Sequence, residues 1–154
     1  MASIQKITTF LWFNDNAEEA INHYCATFKN SKIINFNRHG GKVFLGIFEI
    51  EGQRFMALNG GPKYKFTEAI SLYVDCETQE EVDDLWTKLT ADGGEESRCG
   101  WLKDKFGLSW QIIPKALGQL MSSPDPKKAQ AVMQAMLQMS KIDIATLQRA
   151  HDND

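Results

Sequence analysis

Cys99-Gly100-Trp101-Leu102-Lys103-Asp104-Lys105-Phe106-Gly107-Leu108-Ser109-Trp110-Gln111-Ile112-Ile113-Pro114 is the stretch that decides the fold. Two apolar runs flank Asp104-Lys105-Phe106-Gly107, whose acidic start and glycine end suit a tight hairpin turn. Trp110 and Ile112 alternate with Ser109 and Gln111, so the second strand has a dry face and a polar face. Pro114 ends it, because proline has no N–H to give a ladder. Read with a four-residue turn, the hairpin sets Lys103 opposite Leu108, Trp101 opposite Trp110 and Gly100 opposite Gln111. A one-residue bulge reverses this and turns Trp101 onto the Gln111 face.

Working outward, residues 69–76 alternate as a strand, and Thr78 with Glu81 forms a capping box. The helix it opens carries Val82, Leu85, Trp86 and Leu89 on one face and ends at Asp92-Gly93-Gly94. The same order occurs earlier in the chain. Residues 4–13 read as a strand, and Asn14-Asp15-Asn16 offers capping side chains. Ala17, Ala20, Ile21, Tyr24, Cys25 and Phe28 then recur at helical spacing. Strand-like runs follow at about 31–38, 42–51 and 53–59, and 60–68 is a loop. The chain therefore repeats βαβββ with a period of about sixty residues, Glu18-Glu19-Ala20 echoing Glu80-Glu81-Val82. An α+β fold is predicted, with modules at about 1–62 and 68–114 in one domain spanning 1–122. Helices are predicted at 115–121, from Asp125-Pro126 onward and at 143–150, making 123–154 a helical extension of that domain. Its methionine face (Met133, Met136, Met139) docks on the domain or on a partner subunit.

Bulk properties bound the function. With 154 residues, 43% hydrophobic and 24% charged, the chain is an ordinary globular one. A net charge of -3 argues against nucleic acid as a partner. No apolar run is long enough to span a bilayer, and no secretory signal is visible, so a cytoplasmic setting is expected. Cys25, Cys76 and Cys99 lack CxxC spacing and read as free thiols. His23, His39 and His151 read as surface residues. No Ser/His/Asp arrangement, no cysteine beside a base and no paired carboxylates are evident.

The hairpin segment Gly100–Pro114, the start Thr9-Phe10-Leu11-Trp12-Phe13 with Ala17-Glu18-Glu19-Ala20, and the tail with Lys141-Ile142-Asp143-Ile144 resemble one family. It is the PhnB-like branch of the glyoxalase/bleomycin-resistance (vicinal oxygen chelate) superfamily, often labelled 3-demethylubiquinone-9 3-methyltransferase-like. The resemblance implies paired modules whose sheets curl around a cavity, helices outside, and a homodimer. It also implies four metal-ligand positions, which fall here on Thr8, near Phe55, on Ala69 and on Gln111. Only the last is a residue that binds metals, so no metal and no other cofactor is expected. Carried through by strand parity, the resemblance puts Thr8, Phe10, Trp12, Phe55, Asn59, Ser71, Tyr73, Gly100, Ser109 and Gln111 on the cavity. Ile70, Leu72 and Val74, with Met56 and Leu58, then take the helix side. The aromatics either line a pocket or fill it as core. The expected activity is metal-independent binding of a small molecule, with a metal-free or non-standard enzyme as the alternative. Methyl transfer from S-adenosylmethionine is not expected, because no glycine-rich turn follows a parallel strand.

Overall fold

The computed structural model describes residues 5–153. It contains two compact units, the first ending at Phe66 and the second beginning at Thr67. In the first, β1 (Thr9–Phe13), α1 (Ala17–Thr27), β2 (Ser31–His39), β3 (Lys42–Ile50) and β4 (Gln53–Asn59) follow in chain order. They build a four-stranded sheet in the order β1-β4-β3-β2. β1 runs parallel to β4, and the other neighbours are antiparallel. The predicted strand over 4–13 is shorter than expected, and its first residue lies outside the described residues.

Because β1 and β2 are opposite edges, α1 has to carry the chain across one face of the sheet. It buries Ala17, Ala20, Ile21 and Tyr24 there. Tyr24 stacks on Phe48 at 6.5 Å, and Phe48 on Phe55 at 5.5 Å. Asn16 takes the N-cap position but forms no side-chain cap. Asn59, at the end of β4, does that work from another strand: its carbonyl oxygen accepts from the Ala17 N–H at 2.9 Å. Its amide donates to the Val43 carbonyl at 2.9 Å, so one side chain ties α1 to two strands.

The second unit repeats the pattern. β5 (Ser71–Cys76), α2 (Gln79–Thr90), β6 (Glu95–Glu96), β7 (Trp101–Lys103) and β8 (Ser109–Pro114) build a sheet in the order β5-β8-β7-β6, again with its first and last strands parallel. The fold is thus α+β, two βαβββ modules, as the repeat predicts. Thr78 caps the helix as expected, its Oγ1 accepting from the Glu81 N–H at 3.1 Å, while the Glu81 carboxylate reaches one residue beyond the N-cap and accepts from the Glu77 N–H at 2.7 Å. Val82, Leu85, Trp86 and Leu89 are buried, the face their spacing predicts.

Three helices complete this unit: α3 (Lys115–Met121), α4 (Pro126–Leu137) and α5 (Ile144–Asp152). They close a second core around Ile113, Leu117, Val132, Ile142 and Leu147, with Met136 and Met139 packed against it and Met133 exposed. Gln79 clips this extension to α2. Its amide donates to the Ile142 carbonyl at 2.9 Å, and its carbonyl oxygen accepts from the Ile144 N–H at 2.7 Å.

The hairpin corrects the expected register. Asp104 N–H donates to the Leu108 carbonyl and Gly107 N–H to the Asp104 carbonyl, both at 2.9 Å. The loop is therefore Lys105-Phe106-Gly107, with Gly107 in the left-handed region at φ 90°. One residue fewer in the turn shifts every pair: Lys103 faces Ser109, Leu102 faces Trp110 and Trp101 faces Gln111. Trp101 and Trp110 do not pair. The Asp104 side chain, 2% exposed, holds this turn. It accepts from Phe106 N–H at 2.9 Å, Leu108 N–H at 3.0 Å and the Trp110 indole N–H at 2.9 Å.

Asp104→Asn keeps an oxygen for the backbone donors but turns an NH₂ toward the Trp110 N–H. We expect a loss of about 2 kcal/mol in urea unfolding, the cost of leaving a buried donor unmet; a change within about 0.5 kcal/mol would show that the carboxylate is not the hairpin's anchor. Cys76 offers a second check. Burial first, then the Glu81 and Asp75 carboxylates, push its thiol from an ordinary 9.0 up to about 12. An acid raised in the folded state supports the fold at neutral pH, and that support is lost as pH climbs from about 9 toward 12. At pH 8, iodoacetamide is expected to leave Cys76 unmodified in the native protein while labelling it after denaturation, as read by peptide mass mapping.

Candidate functional site

Each sheet has one face under the helix of its own module, α1 or α2, and an opposite face that this helix does not cover. In the second unit, strand alternation sends Leu72, Val74 and Cys76 of β5 toward α2 and leaves Ser71, Tyr73 and Asp75 on the other face. On β8 the same rule puts Trp110 and Ile112 under the helix and Ser109 and Gln111 opposite. Register then assembles a row across three strands. Tyr73 of β5 pairs with Gln111 of β8, and Gln111 pairs with Trp101 of β7. The next row holds Ser71, Ser109 and Lys103. The Gln111 amide donates to Ser71 Oγ at 3.0 Å, which fixes its orientation between the two aromatics. Toward the end of β8, Ile113 is already buried by the C-terminal helices, so the accessible face stops there.

Two depressions adjoin this face. One of about 270 Å³ is lined by Ser109, Trp101 and Lys103 with Glu68, Glu95 and Glu96. The other, of about 530 Å³, lies between Tyr73, Asp75 and the α3 residues Lys115, Gly118, Gln119 and Ser122. Lys115 is ion-paired with Asp75 and lies 3.6 Å from Glu77, and the Asp75 hydrogen bond holds its ammonium above the ordinary value. The Tyr73 phenol is likewise raised, by loss of water around it and then by Asp75. Its ring is nonetheless 59% exposed. At neutral pH it is a proton donor and not a phenolate.

Among the predicted site residues, Ser71, Tyr73, Ser109 and Gln111 therefore share one face. Gly100 does not join them. Its carbonyl accepts the Ile112 N–H at 2.8 Å, which sets it opposite Ile112 and not Gln111, and with φ 84° its own N–H turns away to the Ser140 carbonyl at 2.8 Å. A Cβ there would sit 2.5 Å from Ile113 Cδ1. Trp101 takes the place expected of it, because of the shorter turn. Ile70 precedes β5 and is exposed, not packed under the helix.

In the first unit, Phe10 and Trp12 lie on the helix-free face, Phe10 being 51% exposed. Trp12 donates its indole N–H to the Gly61 carbonyl at 2.9 Å and meets Tyr64 edge-on at 5.0 Å, a structural seat for the ring. Thr8 just precedes β1 and is half-buried. Phe55 and Asn59 are on the opposite face from the one expected. β4 pairs Phe55, Ala57 and Asn59 with Thr9, Leu11 and Phe13, so all six share the α1 side. Met56 and Leu58 take the open face instead. The parity error has a physical source: both faces of β4 are apolar, so alternation alone does not say which is inside.

The metal-ligand positions of the superfamily do not fit a metal here. Phe55 is buried in the Tyr24–Phe48 stack, Thr8 and Ala69 precede their strands, and Gln111 is engaged with Ser71. Among the described residues no group of three or more His, Cys, Asp or Glu side chains converges. The family's label implies a methyl donor as well. The segments leading from β1 and β5 into their helices, Asn14-Asp15-Asn16 and Glu77-Thr78, contain no glycine to bring backbone against such a cofactor.

Residues 5–113 match the family described as 3-demethylubiquinone-9 3-methyltransferase, and that match stops where the C-terminal helices begin. No curated protein matches the chain. The solved structure of a PhnB protein from Bacillus cereus, named after the same methyltransferase, is 39% identical, covers 71% of this chain and 99% of its own, and superposes with a TM-score of 0.68. A Pseudomonas aeruginosa protein at 19% identity covers 73% of this chain and 98% of its own, with a TM-score of 0.61. A glyoxalase-related enzyme from Fulvimarina pelagi at 15% identity covers 71% and 88%, with a TM-score of 0.50. The last two speak for the fold alone. A family match over most of the chain, and a relative this similar over almost its whole length, establish that the chain belongs to the PhnB-like, 3-demethylubiquinone-9 3-methyltransferase family, on a glyoxalase/bleomycin-resistance type fold.

Proposed function

We propose that the chain is a metal-independent binding protein for a small organic molecule, seated on the face of the second sheet opposite α2. The observation that carries this reading is the row Tyr73–Gln111–Trp101, an amide flanked by two aromatic side chains on neighbouring strands. Two strand spacings hold the aromatics about 10 Å apart, which leaves room for a flat ligand over the amide. Gln111 both donates and accepts, and the Ser71 bond pre-orients it, so the polar contact costs little reorganisation. The rings supply apolar area, and the protonated Tyr73 phenol supplies a donor. None of these groups is a nucleophile beside a base, which is why binding is favoured over turnover.

Homodimerisation, which the resemblance implies, fits the exposure of Phe10, Tyr73, Ile7 and Ile70. Sedimentation equilibrium is expected to return twice the chain mass, and a monomer at micromolar concentration contradicts the pairing. Cytoplasmic residence is supported by the free thiols. Among the described residues no helix is long and apolar enough to cross a membrane.

The binding reading is tested by thermal shift against a panel of small aromatic and apolar compounds, with EDTA and with added Mn²⁺ or Zn²⁺. At least one compound is expected to raise Tm by about 5 °C near saturation, equally with and without EDTA, and to lose the effect in Gln111→Ala. A panel without hits, or hits that disappear with the chelator, overturns it.

A further inference from the structure

Resting on that reading, we propose that the molecule taken by this face is a neutral, flat heterocycle with a hydrogen-bond donor and an acceptor side by side on one edge, such as a cyclic amide. The Gln111 amide supplies the complement. It has two N–H donors and a carbonyl oxygen, and one N–H is spent on Ser71 Oγ at 3.0 Å. Among the described residues no other hydrogen bond holds this amide, so one donor and the acceptor remain together on it. Neither is sealed from solvent: among the described residues the buried, unpartnered side-chain polar atom is Ser31 Oγ, in the other unit. A carboxamide in this state grips a ring edge through two parallel hydrogen bonds, as glutamine reads the donor and acceptor of adenine. The N–H and C=O of a lactam offer the same pair.

The walls fix the shape and the charge. Tyr73 and Trp101 flank Gln111 on the neighbouring strands, about 10 Å apart by strand spacing. A ring standing on the amide between them lies about 5 Å from each, an ordinary centroid separation for an aromatic pair. Tyr73 is exposed and Trp101 half-buried, so both rings keep surface to give. The row itself holds no charged side chain, and the charges beside it are already paired. Lys103 in the next row is bound to Glu68, and Asp75, two residues beyond Tyr73, to Lys115. An ionic ligand finds no unspent counter-ion over the amide, whereas a neutral ring avoids that desolvation.

Three bicyclic probes of one frame separate the possibilities: 2-quinolone, with the lactam pair, and N-methyl-2-quinolone and quinoline, each with an acceptor alone. Titrated into the full chain at pH 7, 2-quinolone is expected to bind about tenfold tighter than either of the others, the difference of one or two ordinary hydrogen bonds. Gln111→Leu should bring 2-quinolone down to the affinity of the other two. Ser71→Ala, which frees the amide to turn, should narrow the gap severalfold with the fold retained by circular dichroism. Trp101→Leu should weaken all three alike. Equal binding of the three to the unaltered chain overturns the lactam preference and leaves the binding face standing. A gap that survives Gln111→Leu overturns the assignment to that amide. If none binds up to millimolar concentration while Tm is normal, the binding face itself is overturned with it.

Discussion

The carboxylate of Asp104 sets what the rest of the second unit can do. It is buried, and its two oxygens gather N–H groups from Phe106, Leu108 and the Trp110 indole. A charge in that setting is tolerable only where several donors meet it, so the turn geometry and the Trp110 rotamer are specified together. The consequence runs along both strands. With the loop closed after three residues, Trp101 comes to Gln111 and Leu102 goes under α2 beside Trp110. One residue more in that loop would exchange the faces and replace an aromatic wall by a glycine.

The same economy of long-range side chains recurs elsewhere. Asn59 caps α1 from β4, and Gln79 holds the C-terminal helices through both ends of one amide. In each case a polar side chain satisfies backbone groups that helix termini leave open, and does so across many residues of chain. These bonds decide where the helices sit on their sheets. They also explain why the extension after residue 113, beyond the family match, is part of the second unit: Ile113 of β8 is a member of its core.

The open face that results differs chemically from the metal centres of the superfamily. The positions that would carry ligands hold a buried phenylalanine, two small residues outside the strands and one committed glutamine. In their place the face offers the aromatics Tyr73 and Trp101, the amide of Gln111 and the hydroxyl of Ser71. On the proposed binding role, such a surface would recognise a ligand by shape, stacking and hydrogen bonding, without coordination chemistry.

Composition and periodicity by themselves determined the repeated βαβββ plan, most element boundaries, the buried face of α2 and the C-terminal helices. These are properties of local spacing: apolar residues at helical or alternating intervals, with glycine, proline and capping residues at the ends. Family resemblance added the meaning of the Gly100–Pro114 hairpin. What only the tertiary structure decided were the face of β4, the hairpin register and the partners of Asn59, Gln79 and Asp104. β4 is apolar on both sides, so its alternation carries no sign until the parallel pairing with β1 supplies one. The hairpin register turned on a single residue of loop length, settled by the left-handed Gly107 and the Asp104 carboxylate acting together. Trp101 was visible in the sequence from the start, and only that register brought it to the site.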